Sequence, residues 1–187
     1  MGETEVYSDD KLFNAIQVKY ILPLLVFVGF MFSLFISFSL SEQQKFLNQE
    51  LESKGFTLSS NITNSIRLDL LLEDSVALND RIEDLKSIEI DYKSSAFYNS
   101  NHKVISSSGG EIIFPNELNI TSPISYNNFD ESISIYTPVI DNIDSLIGYF
   151  TLTLSKTRGT ELIWDSFIKL LLITLGLILM ITVLLIF

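Results

Sequence analysis

The chain has 187 residues, 47% of them hydrophobic, and its 23 acidic against 12 basic residues leave a formal charge of -11. With one histidine and no cysteine, it argues against a basic nucleic-acid binder, a disulfide-stapled domain and a cysteine-ligated metal site. A mean hydropathy of +0.34 is high for so acidic a chain, so the apolar residues must be concentrated in segments.

Residues 1–20 read as a cytoplasmic N-terminal segment, and residues 21–40, which carry no charge, as a first transmembrane helix. Twenty residues at about 1.5 Å each reach about 30 Å, the thickness of a bilayer's hydrocarbon core. Pro23 is tolerable in the first turn of such a span, where a missing N–H costs little. A cleaved signal peptide is the competing reading, with Ser39-Leu40-Ser41 as its small-x-small site. The apolar run exceeds the roughly 7–15 residues usual for a signal, which favours an anchor. Lys11 and Lys19 before the span and Lys45 and Lys54 after it give little charge asymmetry; a cytoplasmic N-terminus with an exported central domain is the expected orientation.

Residues 41–167 form the expected periplasmic domain, long enough for a core of its own. Residues 41–72 read as a helix continuing out of the membrane, with Leu47, Leu51, Leu58, Ile62, Ile66 and Leu70 in a stripe. That stripe suits a dimer seam, through Leu47, Leu51, Leu58, Ile62 and Ile66, or packing against the domain's own sheet, or both at different heights along the helix. A shorter helix follows from Asp74 or Ser75 as N-cap and aligns Leu78, Ile82 and Leu85. Residues 94–98 and 103–107 then flank the polar turn Asn99-Ser100-Asn101-His102 as a hairpin. After the Gly109-Gly110 break, residues 112–114 make a short apolar run ended by Pro115.

The clearest strands are residues 132–140, through Ile133, Ile135 and Val139, and residues 146–154, through Phe150, Leu152 and Leu154. Asp141 to Ser145 turn between them. Turn and cap residues from Ser155 onward lead into a helix over residues 161–167. A second span over residues 168–187 follows, its uncharged run starting at Leu170, with Trp164 and Lys169 at the entry edge.

An antiparallel sheet preceded by helices and flanked by two spans is an α+β arrangement that looks like the PAS or Cache type of exported sensor domain. More narrowly, LNDRIEDLKSIEIDYKSSAFYNSNHKVISSSGG, then IIFPNELNI, SISIYTPVID and IGYFTLTLSK, resemble the sensor region of BarA-type hybrid histidine kinases over about residues 15–187. The resemblance implies a homodimer in the bacterial inner membrane, crossing it twice. It also implies a small carboxylate as signal, and a response regulator reached only through a kinase portion. That portion is missing here: the only histidine, His102, sits in a turn, and there is no ATP-binding box, Gly-rich phosphate loop or Ser nucleophile elbow. No catalytic residue, cofactor or metal site is expected. The chain reads as the input region of a longer receptor or as the product of an interrupted reading frame.

Arg81, Lys86 and Lys103 are candidates to converge on a carboxylate, the arginine as a bidentate fork and the lysines as point charges. The plainer alternative is surface pairing of Arg81 with Asp84 and of Lys86 with Glu83 or Glu89. Tyr98 and Tyr136 are candidate phenol donors on one sheet face, or packed core tyrosines. His102 is either a pH-sensitive group or a solvated turn residue. The acidic pairs and triplets Glu73-Asp74, Asp80-Glu83-Asp84 and Glu89-Asp91 suit either divalent cations or solvated helix faces. Sequons at Asn61 and Asn119 matter only in a eukaryotic secretory pathway. Since the domain is acidic throughout, an anion site must be locally basic. Two rival readings are an envelope protein that binds a partner through its sheet edge, and the input module of a chemoreceptor or cyclic-nucleotide synthase.

Overall fold

The structure is a computed structural model and describes residues 6–110, 122–128, 131–141 and 143–186. The chain divides into two units, Met1–Gln43 and Gln44–Phe187. Its first element is helix α1, Val6–Ser65, with Pro23 inside it. In the first unit, the side chains of Phe27, Phe30, Phe35 and Phe38 are each at least 61% exposed. Rings so exposed are ill suited to water and well suited to lipid.

Two described helices are long and apolar enough to cross a membrane: α1 over Val26–Ser65 and α4 (Thr157–Ile186) over Thr157–Met180. They flank a central α+β region in sequence, as a two-pass membrane protein requires. The expected helix at residues 161–167 and the expected second span are parts of α4, and the first expected span lies inside α1. The helix expected over residues 41–72 is broken at Ile66 (φ -105, ψ 5), beyond which α2 covers Arg67–Leu71. Polar side chains loosen that end. Thr63 Oγ1 donates to the Ser60 carbonyl at 3.1 Å and Ser65 Oγ to the Ile62 carbonyl at 2.9 Å, local bonds that compete with the helical ladder.

Helix α3 spans Ser75–Ile88, and the Asp74 carboxylate caps it by accepting from the Val76 and Ala77 amides. Leu78, Ile82 and Leu85 are buried on one face. The five strands are β1 (Tyr92–Asn99), β2 (Val104–Gly109), β3 (Ile124–Asn128), β4 (Ser132–Ile140) and β5 (Leu146–Ser155). They form one antiparallel sheet in the order β2-β1-β5-β4-β3. Asn99 closes the first hairpin, its side-chain oxygen accepting from the Asn101 and Lys103 amides. The second is closed by the Asp141 amide donating to the Ser145 carbonyl at 2.8 Å. Strand β3 was not expected: ISYNN is only five residues long, two of them asparagines that disfavour strands, and pairing with β4 makes it an edge strand. The apolar run at residues 112–114, Pro115 and the sequon at Asn119 lie outside the described residues.

One face of the sheet carries Phe97, Ile133, Ile135, Val139, Phe150, Leu152 and Leu154, packed against Leu51, Ile66, Leu70, Leu78, Ile82 and Leu85 of the helical layer. Phe97 and Phe150 stack with ring centroids 4.7 Å apart. The α1 stripe therefore serves the sheet. Leu51 and Ile66 are in the core, and Leu47, Leu58 and Ile62 are partly buried against it. Of the five residues expected as a dimer seam, Leu51 and Ile66 are thus buried within the chain, and the other three are half-buried against its core. Contact is close at two glycines: a Cβ on Gly55 would run into Ile135, and one on Gly159 into Leu47, so the first turn of α4 passes directly beside α1.

Candidate functional site

Successive side chains of a strand point to opposite faces, so the residues alternating with the apolar set form a second surface. The register assembles it in rows. Tyr98 lies opposite Tyr149, and Tyr149 opposite Pro138. In the next row Ala96 lies opposite Thr151, Thr151 opposite Tyr136, and Tyr136 opposite Ile124. Ser94, Thr153, Ser134 and Tyr126 follow in the third. The first face is hydrocarbon; the second is aromatic and hydroxylic.

Ala96, Tyr98, Tyr136 and Tyr149 form a buried cluster separate from the main core, with Ile124 and Leu146 partly buried against it. Tyr98 and Tyr149 are each only 2% exposed. The hydroxyls are tied to one another and to the backbone. Ser134 and Thr153 share a hydrogen bond of 3.0 Å, and Thr151 Oγ1 donates to the Ala96 carbonyl at 3.4 Å.

Burial raises the pKa of Tyr98 above the ordinary tyrosine value, an effect opposed by a hydrogen bond with Thr151 and reinforced by Tyr136. Burial likewise raises Tyr136, opposed by a hydrogen bond with Ser134 and reinforced by Tyr126. Both phenols therefore keep their protons throughout the physiological range and can donate. His102, at φ +60 in the β1–β2 turn, stacks on Tyr149 with centroids 4.9 Å apart and planes 13° from parallel. That places the one imidazole of the chain at the end of the tyrosine surface, in a turn where it is also exposed to solvent.

The candidate residues separate into two groups. Tyr98 and Tyr136 share the second face, and Lys103 follows His102 in the turn next to it. Arg81 and Lys86 lie on α3, whose buried residues pack on the first face, so they do not converge with the tyrosines. Lys86 pairs with Glu83 at 3.4 Å, the surface pairing that was the alternative. Lys86 also lines a cleft of about 560 Å³ with Ile88, Tyr92, Lys93 and Ser108, but Lys93 is paired there with Glu131 at 3.1 Å. Glu89 and Asp91 both bind Lys54, at 2.6 and 3.0 Å. Among the described residues, no group of three or more His, Asp or Glu side chains could hold a metal ion.

Tyr149, Thr151 and Ser134 were not singled out from sequence, although a signal was present. In AFY and GYF a phenylalanine sits beside a tyrosine, and facing the two phenylalanines to one core turns both tyrosines to the other surface. No protein-family model matches the chain, and no curated protein matches it in sequence.

Proposed function

We propose that the chain is the signal-sensing input module of a membrane receptor of the hybrid histidine-kinase type. In this reading a PAS- or Cache-like domain lies in the periplasm between two spans of the bacterial inner membrane. It acts as a homodimer and reaches a response regulator only through a kinase portion beyond this chain.

The observation that carries the reading is the second face of the sheet. A domain that needed only stability would gain more from aliphatic residues there, since each buried hydroxyl must find a partner. Instead three tyrosines, a stacked imidazole and a row of serines and threonines share one surface. Protonated phenols donate strong hydrogen bonds to an anionic oxygen, Lys103 in the adjacent turn supplies a positive charge, and His102 a ring nitrogen that can share a hydrogen bond. A small carboxylate is the ligand class that fits. With Leu51 and Ile66 buried in the core, the dimer contact uses the side chains of α1 that stay partly or fully exposed, such as Leu58, Ile62 and Phe46, the last 68% exposed.

The test is thermal unfolding of the full chain in lipid nanodiscs against short mono- and dicarboxylates. A ligand at one hundred times its Kd stabilises the folded state by about 2.7 kcal/mol. A saturable rise in midpoint with one carboxylate class, lost in Tyr98→Phe and Tyr136→Phe, is the expected result. A folded domain that responds to no member of the panel would overturn ligand sensing and favour recognition of a protein partner.

A further inference from the structure

We propose that α1 has two registers on β4: the Lys54 ion pairs hold the one observed, and the hydroxyls of Ser59 and Thr137 favour the other. The ridge of α1 that faces the sheet is Leu51, Gly55, Ser59 and Thr63, spaced by four and all buried. Beyond Leu51 this ridge is small or hydroxylic, so it offers few knobs to lock into the sheet. Gly55 sits directly on Ile135. Ser59 is one turn further along α1, and Thr137 is the next residue on the same face of β4.

Those two positions hold the buried side-chain oxygens that have no hydrogen-bond partner among the described residues: Ser59 Oγ, in a residue 0% exposed, and Thr137 Oγ1, in one 4% exposed. Neighbouring hydroxyls on the same helix behave differently. Thr57, Thr63 and Ser65 each donate to a carbonyl of the preceding turn. Two orphaned hydroxyls on facing elements favour any small displacement that lets one donate to the other.

What opposes that displacement is charge. Lys54 adjoins Gly55 and donates to Glu89 at 2.6 Å and to Asp91 at 3.0 Å, and Glu89 is itself 7% exposed and accepts the Asp91 amide. Glu52, two residues earlier, accepts from Ser125 of β3. Sliding α1 by one residue, about 1.5 Å, requires the Lys54 side chain either to re-extend or to give up its contacts of 2.6 and 3.0 Å. The helix is thus balanced between an electrostatic hold and an unsatisfied interface, the kind of two-state element that a modest input can bias. This gives the proposed sensor a place where ligand binding would act, and in that respect it rests on the sensor reading, although the two registers do not require a ligand.

The chain has no cysteine, so a Ser59→Cys/Thr137→Cys pair, whose thiols keep a weaker donor and acceptor at both positions, reports through disulfide formation on how often the two sites approach. In the full chain in nanodiscs under mild oxidation, adding Lys54→Met should raise the rate of crosslinking at least tenfold. Glu89→Gln with Asp91→Asn should do the same and serves if the first variant does not fold. Hydrogen exchange at Phe97 and Phe150 should stay slow in both, which separates sliding from unfolding. Ser59→Ala and Thr137→Val, each in the native background, should raise the thermal midpoint. An unchanged crosslinking rate after release of Lys54, no crosslink in any background, or a fall in midpoint for both hydroxyl deletions would overturn the proposal. A ligand panel without effect would count against the sensor reading alone and leave this result standing.

Discussion

The two faces of the same five strands meet different requirements. On one, Phe97, Phe150, Ile135, Leu152 and Leu154 are 0% exposed beneath α1, α2 and α3. On the other, Tyr98, Tyr136 and Tyr149 are almost as deeply buried, yet each keeps a hydroxyl. Burial alone therefore does not separate core from candidate site. The distinction lies in whether the buried groups can be satisfied without leaving the face: hydrocarbon needs only contact, whereas a hydroxyl needs a partner and can exchange that partner for a ligand.

The comparison breaks first if its hydrocarbon face proves dispensable. Phe150→Ala removes a ring stacked on Phe97 at 4.7 Å and should destabilise the domain by about 3–5 kcal/mol in denaturant unfolding. Tyr149→Phe, one residue away on the other face, should cost about 1 kcal/mol. Equal losses would erase the difference between the faces.

Gly55→Ala tests how closely α1 lies on the first face. Its new methyl meets Ile135, and overpacking of that kind should cost about 1–3 kcal/mol, read as a lower unfolding midpoint.

The second face can be sharpened by titration. Because burial raises the Tyr98 and Tyr136 pKa values, the folded state holds those protons more tightly than the unfolded chain. The associated stability is complete below pH about 10, the unfolded tyrosine value, and is lost as pH rises through the higher folded values. Phenolate absorbance should therefore show tyrosines titrating late and together with alkaline unfolding, a lag that Tyr98→Phe reduces. Ordinary titration of all the tyrosines in folded protein would contradict their burial.

Two smaller effects bound the comparison from the helical side. Asp74→Ala removes the cap of α3 and should cost about 1 kcal/mol in the same unfolding assay. Lys86→Ala removes only an exposed pair with Glu83 and should change stability by no more than about 0.5 kcal/mol. A large loss there, or loss of carboxylate-dependent stabilisation, would restore α3 to the candidate site.

Much of the fold was legible because local signals agreed. The residues 132–140 strand, the two hairpin turns, the Asp74 cap and the Leu78, Ile82, Leu85 stripe each follow from period and turn chemistry, which act over a few residues. What escaped was non-local. ISYNN has no pattern of its own and becomes a strand through β4. The break at Ile66 was hidden because the apolar spacing of the stripe runs on through Leu70. The candidate site was half legible: Tyr98 and Tyr136 could be named, but Arg81 and Lys86 could not be separated from them, since charge and proximity in sequence carry no information about which layer covers which face.

The sequence by itself determined two uncharged runs long enough for a bilayer, an acidic domain between them, and the alternation that must send apolar and hydroxylic side chains to opposite sides of a sheet. These depend on side-chain period and on transfer of apolar groups from water, both local properties. Tertiary structure alone decided the order β2-β1-β5-β4-β3, and with it the rows that align three tyrosines from three strands. It also decided that the α1 stripe packs on the chain's own sheet and that Lys54 meets Glu89 and Asp91. Those outcomes depend on competition among distant surfaces for burial and for partners, which no short stretch of sequence encodes.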